Sequence, residues 1–270
     1  MSGWRWWEEL TSDEVAGLDR DRALAVLPVA AIEQHGPHLP LGTDAILCDA
    51  ILSAALDRLP ENALSERGPL VLRLPTQRIG HSPEHTRFAG TLSVAARTLL
   101  AAWVEIGASL AAAGLRRLVL FNTHGGQGAL VDLAAQELRR RHGMLVVRCS
   151  YWRFGVPDGW LSEREQRYGL HGGQLETALM LHIAPGLVRR DRIADFRSAA
   201  EAWEAAHPGL EVEGRTAIGW MAGDLHPQGV TGDAAAATAE LGRRLLEHYA
   251  GCLSVVLTAA SGVELPQSGG

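Results

Sequence analysis

The sequence predicts an α/β protein with a mostly parallel central sheet. Short apolar runs, which are typical of buried strands, alternate with segments of about 10 to 20 residues that have helical periodicity. No fixed-period repeat and no low-complexity linker divides the chain, so we expect one domain over residues 1–270. The chain is 47% apolar, which is enough for a full hydrophobic core at this length.

Four apolar runs are predicted to form the strands. The first, Ala23–Ile32, is almost continuously apolar, as expected for a strand that is covered on both faces. The other three are Leu70–Leu74, Arg117–Phe121 and Met144–Cys149. Ligands bind at the carboxyl ends of the strands in such sheets, so we expect functional residues directly after these runs.

Five segments are predicted to form helices. The first is Asp44–Leu59, with Thr43 or Asp44 as its N-cap and Pro60 as its stop. The other four are Ser93–Ala113, Gln127–Arg141, Gln174–Ile183 and Asp233–Tyr249. Ser93 is the predicted N-cap of the first of these four.

Three features lie outside this alternation of strands and helices. The irregular stretches Trp152–Leu170 and Arg190–Gly232 are expected to be insertions, lids or subunit contacts. The tryptophan cluster of Trp4, Trp6 and Trp7 is expected to anchor the N-terminus or to contact another subunit.

Composition excludes several classes of function. All 25 basic residues are Arg, so a lysine Schiff base, a lysine general base and a P-loop lysine are impossible. A formal charge of −6 without a basic stripe argues against a nucleic-acid partner. The longest stretch without Asp, Glu or Arg, His248–Val263, is shorter than the roughly 18 to 20 residues of a membrane span. With three widely spaced Cys and no signal-peptide pattern, we expect a cytoplasmic protein.

The first candidate motif, Glu33 to Asp44, directly follows the first predicted strand. Residues two apart in extended backbone face the same side, so Glu33 and His35 can converge on one point. Asp44 arrives at the start of the next helix. Carboxylate and imidazole ligands suit Zn²⁺, Mn²⁺ or Fe²⁺. The alternative is that Asp44 only caps the helix, Glu33 pairs with an Arg, and the histidines are solvated.

The second and third candidate motifs contain His124 and Glu176. His124 follows the third predicted strand and precedes two glycines, but Val131 stands where a dinucleotide-binding motif needs its last Gly. Glu176 lies in the first turn of a helix, where it could complement the helix dipole or bind a metal, and the nearby His171 could transfer a proton. The possible ligands are then Glu33, His35, Asp44, His124 and Glu176. Their charge of −3 suits two divalent ions bridged by a hydroxide.

The loop Gly80–Gly90 carries His81, Ser82, Glu84 and His85, which suit substrate contact if the loop is not simply solvated. It lacks the Gly-x-Ser-x-Gly pattern, which argues against a serine hydrolase.

With these motifs placed, the sequence resembles the creatininase family of metal-dependent amidohydrolases along nearly its whole length. The resemblance rests on the segment Glu33 to Asp44, on Asn122-x-His124-Gly-Gly, on His171-Gly-Gly-x-x-Glu176-Thr, and on Gly229 to Asp233. It implies a three-layer α/β/α sandwich, a homohexamer and two divalent metal ions, Zn²⁺ or Mn²⁺ with Fe²⁺ possible.

The resemblance also implies roles for individual residues. Glu33, Asp44 and His124 match the ligands of one metal, and His35 and Asp44 match those of the other. Creatininase itself has a further Glu ligand at the position of Gly126, and members with His-Gly-Gly are expected to recruit Glu176 in its place.

The substrate pocket departs from that of creatininase, because Gly125 replaces a Tyr, and Arg167 and Tyr168 stand near its Trp-Asp pair. Gly125 and Tyr168 are therefore expected to line a rebuilt pocket.

These observations lead to the hypothesis of a metal-dependent hydrolase that cleaves the C–N bond of a small or cyclic amide. His171 would shuttle a proton, with Glu176 as a ligand or helper. One alternative is a peptidase or deformylase of the same family, and another is a metal-binding protein without activity. A nucleotide-binding oxidoreductase is the least supported class.

Overall fold

The computed structural model describes residues 3–59 and 70–263. Its central sheet has five parallel strands in the order β1-β3-β2-β4-β5. The five are β1 (Trp4–Trp6), β2 (Ala23–Val29), β3 (Leu70–Arg73), β4 (Arg117–Asn122) and β5 (Leu145–Ser150). A two-stranded antiparallel pair follows later in the chain and consists of β6 (Asp195–Phe196) and β7 (Gly232–Asp233).

The described α-helices alternate with the strands in the first half of the chain and dominate the second half. They are α1 (Ser12–Ala16), α2 (Thr43–Leu56), α3 (Ala96–Ala112), α4 (Gly128–His142), α5 (Glu163–Tyr168), α6 (Gln174–Ile183), α7 (Ala200–Ala206), α8 (Ala222–Leu225) and α9 (Ala239–Ser261). Within the described residues, no helix is both long enough and apolar enough to cross a membrane.

Strand β2 separates two large hydrophobic cores. Leu24 and Val26 face a core that includes buried residues of α2, α6 and α9. Ala25 and Leu27 point the opposite way, into a core shared with α3 and α4. Alternate residues of a strand face opposite sides, so a fully apolar β2 requires a helical layer on each face. The expected three-layer α/β/α sandwich is confirmed.

The carboxyl ends of the central strands lie side by side. Val29 at the end of β2 pairs with Asn122 at the end of β4, and Asn122 pairs with Ser150 at the end of β5. Strand β2 has β3 on one side and β4 on the other, so the chain crosses over β2 between β3 and β4. Such a switch point opens a crevice at the carboxyl ends of the strands, where ligands bind in α/β sheets.

The edge strand β1 is a feature that the sequence analysis did not predict. It pairs in parallel with β3, and the guanidinium carbon of Arg73 lies 4.1 Å from the centre of the Trp6 ring. A strand of three residues is too short to show periodicity, which is why the tryptophan cluster could not be recognised as part of the sheet.

Several predicted element boundaries were wrong. Helix α3 begins at Ala96, and Ser93 instead accepts a hydrogen bond from the Ser82 amide through its hydroxyl. Helix α2 has Gly42 at its N-cap position. The last helix begins after Thr238, whose hydroxyl caps it, because Asp233 belongs to β7. It also continues well beyond the predicted end, and the predicted stop Pro60 lies outside the described residues.

The contact between α6 and α9 predicts one sensitive position. A Cβ at Gly242 would overlap the carbonyl oxygen of Ala178 in α6, so the two backbones could not keep their present distance. We expect Gly242→Ala to lower the free energy of unfolding by about 1–3 kcal/mol, as overpacking generally does.

The matched control is Gly251→Ala on the same helix, where the added methyl would meet only Arg58 Nη1 at 3.8 Å. Because Ala favours helix over Gly by up to about 1 kcal/mol, this variant is expected to be neutral or more stable. Urea unfolding measures the free energy of unfolding of both variants, and equal values would contradict the packing argument.

Candidate metal centre

Five side chains meet at the crevice beside the carboxyl ends of β2 and β4. Glu33 and His35 lie in the segment after β2, and His124 lies two residues after β4. Asp44 is the second residue of α2, and Glu176 is the third residue of α6. The first four are almost completely buried. These are the five residues that the sequence analysis selected as possible metal ligands, and the fold brings them together.

The carboxylate of Asp44 lies between two imidazoles. Its Oδ1 is 3.3 Å from His35 Nε2, and its Oδ2 is 3.6 Å from His124 Nδ1. The same Nδ1 atom lies 3.2 Å from Glu33 Oε1. Glu33, His35 and Asp44 each offer one ligand atom within 4.8 Å of the other two. Asp44 is thus positioned to serve both sides of the centre.

Glu176 approaches the centre from α6. Its Oε2 lies 3.8 Å from His35 Nε2 and accepts a hydrogen bond of 2.7 Å from the Gly172 amide. Its Oε1 accepts a hydrogen bond of 3.2 Å from the hydroxyl of Tyr151, directly after β5. Both carboxylate oxygens are therefore oriented by other groups, and one of them faces the His35 side.

The polar atoms in the middle of this cluster fit a metal ion. Glu33 Oε2, His35 Nε2 and Asp44 Oδ2 are buried and have no hydrogen-bond partner. The opposite ring nitrogens are held by backbone carbonyls, because His35 Nδ1–H donates to Glu33 O at 3.1 Å and His124 Nε2–H donates to His81 O at 2.9 Å. Metal-binding histidines are oriented in this way, with the second ring N–H on a carbonyl or carboxylate. The residues present therefore fit a divalent cation.

The buried titratable groups of the site shift one another's pKa values. Burial opposes ionisation of Glu33, but His124, helped by His85 and His171, holds the pKa of Glu33 well below its usual range. Burial, and then the charge of Glu33, raises the pKa of Asp44 well above its usual range. Burial disfavours protonated His124, yet Glu33 and Asp44 raise its pKa to about 10. A proton on His124 thus supplies the positive charge that a metal would supply.

His171 lies on the other side of the centre. Its ring is 4.1 Å from that of His35 and 4.2 Å from that of His85, and its Nε2–H donates to the carbonyl of Gln34 at 2.7 Å. Its Nδ1 lies 3.7 Å from Glu33 Oε1. Burial, and then the neighbouring His35, lowers the pKa of His171, which favours the neutral ring at neutral pH. A neutral Nδ1 directed at the centre can accept a proton.

The predicted pocket residues are only partly gathered at this site. Ser82 Oγ lies 3.2 Å from His124 Nε2, and His85 Nε2 lies 3.5 Å from Glu33 Oε1. The His81 ring bonds instead to the carbonyl of Val94, and only the His81 backbone carbonyl contacts His124.

Gly125 borders open space, since a Cβ there would meet nothing within 4 Å. Tyr168 belongs to a different environment from the one that the sequence analysis expected. Its hydroxyl bonds to Glu204 at 3.2 Å, and its ring packs in an apolar cluster with Trp203 and Trp220. The expectation that Tyr168 lines the pocket is therefore not supported by its contacts, because α5 turns this side chain toward α7.

Glu165 is a structural residue of the site that sequence reasoning missed. It is only 4% exposed, and its two carboxylate oxygens accept backbone hydrogen bonds from Gln174 at 2.6 Å and from Asp233 at 2.7 Å. A Cβ at Gly173 or Gly232 would overlap this carboxylate. Glu165 thus joins the first residue of α6 to β7. In the sequence it is one of several charged residues within the irregular stretch Trp152–Leu170, and such a Glu is too common to be informative.

Two turns of the site have a positive φ that requires glycine. Gly36, with φ +68°, follows His35, and Gly172, with φ +65°, follows His171. A Cβ at either position would press into Val230 at less than 3 Å. The segment after β2 and the turn before α6 therefore converge on one buried side chain, which aligns His35 with Glu176.

The fold and these donor atoms define a class of protein, the α/β/α proteins with a carboxylate and imidazole metal site at the carboxyl edge of a parallel sheet. Comparison with known proteins narrows the class. The chain belongs to the creatininase family, because residues 8–257 match the family model described as Creatininase, creatinine amidohydrolase. The resemblance inferred from the sequence motifs is confirmed, and the family identifies the chain as a hydrolase.

Two curated relatives carry different names. A mycofactocin precursor peptide peptidase of Mycobacterium ulcerans (strain Agy99) is 35% identical over 220 residues, which cover 82% of this chain and 78% of that protein. A creatinine amidohydrolase of Pseudomonas putida is 32% identical over 213 residues, which cover 72% of this chain and 75% of that protein.

Solved creatininases have the same fold. A structure named creatininase Mn is 27% identical with a TM-score of 0.71, and covers 96% of this chain and 99% of its own. A mutant creatininase of Zn-Zn type is 28% identical with a TM-score of 0.72, and covers 97% of this chain and 100% of its own.

The position of Asp44 predicts a loss of metal-dependent stabilisation on substitution. A ligand that binds only the folded chain raises the melting temperature, so Zn²⁺ or Mn²⁺ should raise the Tm of the wild-type protein. Asp44→Asn removes the carboxylate between His35 and His124, and we expect the metal-induced rise in Tm to disappear. Differential scanning calorimetry with and without metal measures the effect.

The control is Asp49→Asn on the same helix, which breaks an ion pair with Arg73 but lies outside the donor cluster. It should retain the metal-induced rise in Tm, and an unchanged rise in Asp44→Asn would contradict the assignment.

The contacts of Glu165 predict a further effect. Glu165→Ala would leave the amides of Gln174 and Asp233 without their acceptors, which costs about 1–3 kcal/mol for each buried group. Because α6 carries Glu176, we also expect weaker Zn²⁺ binding, measured by titration calorimetry alongside chemical unfolding. Glu163→Ala, an exposed change on the same helix, should alter neither quantity by much. Wild-type stability of Glu165→Ala would contradict the conclusion that Glu165 joins α6 to β7.

Proposed function

We propose that the chain is a metal-dependent hydrolase that cleaves the C–N bond of an amide with two divalent ions, Zn²⁺ or Mn²⁺, with Fe²⁺ possible. The observation that carries this proposal is the group of buried, unpartnered donor atoms on Glu33, His35 and Asp44. Membership of the creatininase family and the manganese and zinc forms of solved creatininases support it.

The five donor residues would divide between two ions. Glu33, Asp44 and His124 would hold one, and His35, Asp44 and Glu176 would hold the other. Bound divalent ions lower the pKa of water from 15.7 to about 7 and polarise the substrate carbonyl. Tyr151 and the Gly172 amide would keep the Glu176 carboxylate oriented toward His35.

His171 would move the proton in this reaction. Its Nε2–H is held by the Gln34 carbonyl, so Nδ1 is the nitrogen that can exchange a proton near Glu33. A ring that is neutral at neutral pH can accept a proton from the attacking water and deliver it to the leaving nitrogen. The stacked rings of His35 and His85 limit the orientations that His171 can adopt.

The substrate is proposed to be a small or cyclic amide, and a peptide-derived substrate is the second candidate. Open space beside Gly125 favours the second candidate, because it leaves room for a substrate that extends beyond the scissile bond. The similarity to a mycofactocin precursor peptide peptidase also favours it. A formamide substrate and a metal-binding protein without activity are the remaining alternatives.

The proposal includes the setting of the enzyme. We expect a homohexamer in the cytoplasm that acts on a small molecule and has no nucleic-acid or membrane partner. The acidic balance of 25 Arg against 31 Asp and Glu supports the lack of a nucleic-acid partner.

A panel of substrates tests the reaction and separates its alternatives. Metal-loaded protein is incubated with creatinine and other lactams, with formamides and with peptides, and released amine is measured. Turnover of lactams alone supports a cyclic amide, and turnover of peptides alone supports a peptidase. Tight binding of two ions without turnover of any substrate would indicate a metal-binding protein.

The position of His171 predicts a specific kinetic effect. Loss of a general acid or base generally slows a reaction by about 10²–10⁴-fold, so His171→Gln should lower kcat by this factor on the substrate identified by the panel. The metal content, measured by mass spectrometry, should stay at the wild-type value. His207→Gln, on the exposed ring that follows α7, is the matched control and should retain wild-type kcat. Loss of metal from His171→Gln would identify the ring as a ligand instead of a proton carrier.

A further inference from the structure

Glu84 is a carboxylate at the metal centre to which the proposed function assigns no role. It lies in the short helical turn Pro83–His85, in the loop after β3. Its Oε1 is 3.6 Å from His124 Nε2 and 3.8 Å from His85 Nε2, and its side chain is only 12% exposed. Glu84 therefore reaches the Nε2 side of the His124 ring from the loop after β3, the strand that pairs with β2 on the side away from β4.

Gly126 admits the Glu84 side chain. A Cβ at position 126 would overlap Glu84 Oε1 and would lie 2.8 Å from Glu84 Cδ and 2.9 Å from His124 Nε2. Any other residue at position 126 would have to displace the Glu84 carboxylate or the His124 ring. By contrast, a Cβ at Gly128, two residues later, would meet nothing within 4 Å.

The charges around Glu84 call for a cation. Among the described residues, its ion-pair partners are His85 and His124, and no Arg pairs with it. Glu33 has a buried Oε2 without a partner. Two buried carboxylates that face each other are stabilised when a cation lies between them.

We propose that Glu84 is a fourth carboxylate ligand of the metal centre, on the His124 side, and that Gly126 is the residue that makes room for it. Glu33, Glu84 and His124 each offer one ligand atom within 4.8 Å of the other two, which makes them a candidate ligand set for one ion. The inference rests on the proposed metal centre but concerns a ligand additional to those of the proposed function.

Metal titration of purified protein tests the proposal. Zn²⁺ is titrated into chelator-treated wild-type protein and into Glu84→Gln, and stoichiometry and Kd are measured by calorimetry. We expect two ions in the wild type and at least a tenfold weaker Kd for one of them in Glu84→Gln. The visible spectrum of Co²⁺-loaded protein should also change, because it reports the ligands around the ion.

Gly126→Ala gives a second test that leaves every proposed ligand in the sequence. Because the added methyl would displace Glu84, Gly126→Ala should raise the Kd of the same ion by a similar factor. In the double variant with Glu84→Gln, it should raise that Kd little further. Gly128→Ala is the matched control and should bind as the wild type does. Thermal unfolding in the presence of chelator establishes that the variants are folded.

The outcomes separate this inference from the proposed function. If the wild type binds two ions and Glu84→Gln binds both with unchanged Kd, Glu84 is not a ligand, although the metal centre stands. If only Gly126→Ala retains wild-type binding, Gly126 does not control the position of Glu84. If the wild-type protein binds no ion, both proposals fail.

Discussion

Burial of Glu33 beside Asp44 is the constraint on which the rest of the site depends. Two carboxylates in contact with the same imidazole, both almost inaccessible to water, repel each other unless a positive charge compensates them. Burial disfavours protonated His124, but Glu33 and Asp44 raise its pKa, so its ring can supply that charge; a divalent ion held by the same three residues would supply it as well.

The scaffold keeps these charges together through elements that are themselves hard to move. The segments after β2 and β4 start from paired residues at the buried carboxyl ends of these two strands. Helix α6 is held by close packing on α9 at one side and by the buried carboxylate of Glu165 at its first residue. Glycines occupy the positions where segments approach most closely. The geometry of the site therefore depends on these glycines as well as on the functional side chains.

Much of the fold and of the donor set could be predicted from the sequence. The continuous apolar run of β2 predicted a strand covered on both faces, and helix α6 was predicted with the observed bounds. Glu33 and His124 could be selected because they directly follow apolar runs. The edge strand β1 and the full length of α9 could not be predicted in the same way. A strand of three residues has no measurable period, and the end of a helix depends on what packs beside it.

The sequence by itself determined the alternation of the four central strands with helices, the exclusion of lysine chemistry and the five candidate donor residues, because these depend on local periodicity and residue chemistry. Only the tertiary structure decided which side chains share the site. Tyr168 lies in an apolar cluster at α7. Glu84 lies where Gly126 leaves room for its carboxylate, and Glu165 lies where Gly173 and Gly232 do the same. The reason is that contacts such as Tyr168 with Glu204 and Glu165 with Asp233 join residues 36 and 68 positions apart along the chain. Their spacing is set by the packing of the layers, which local patterns do not encode.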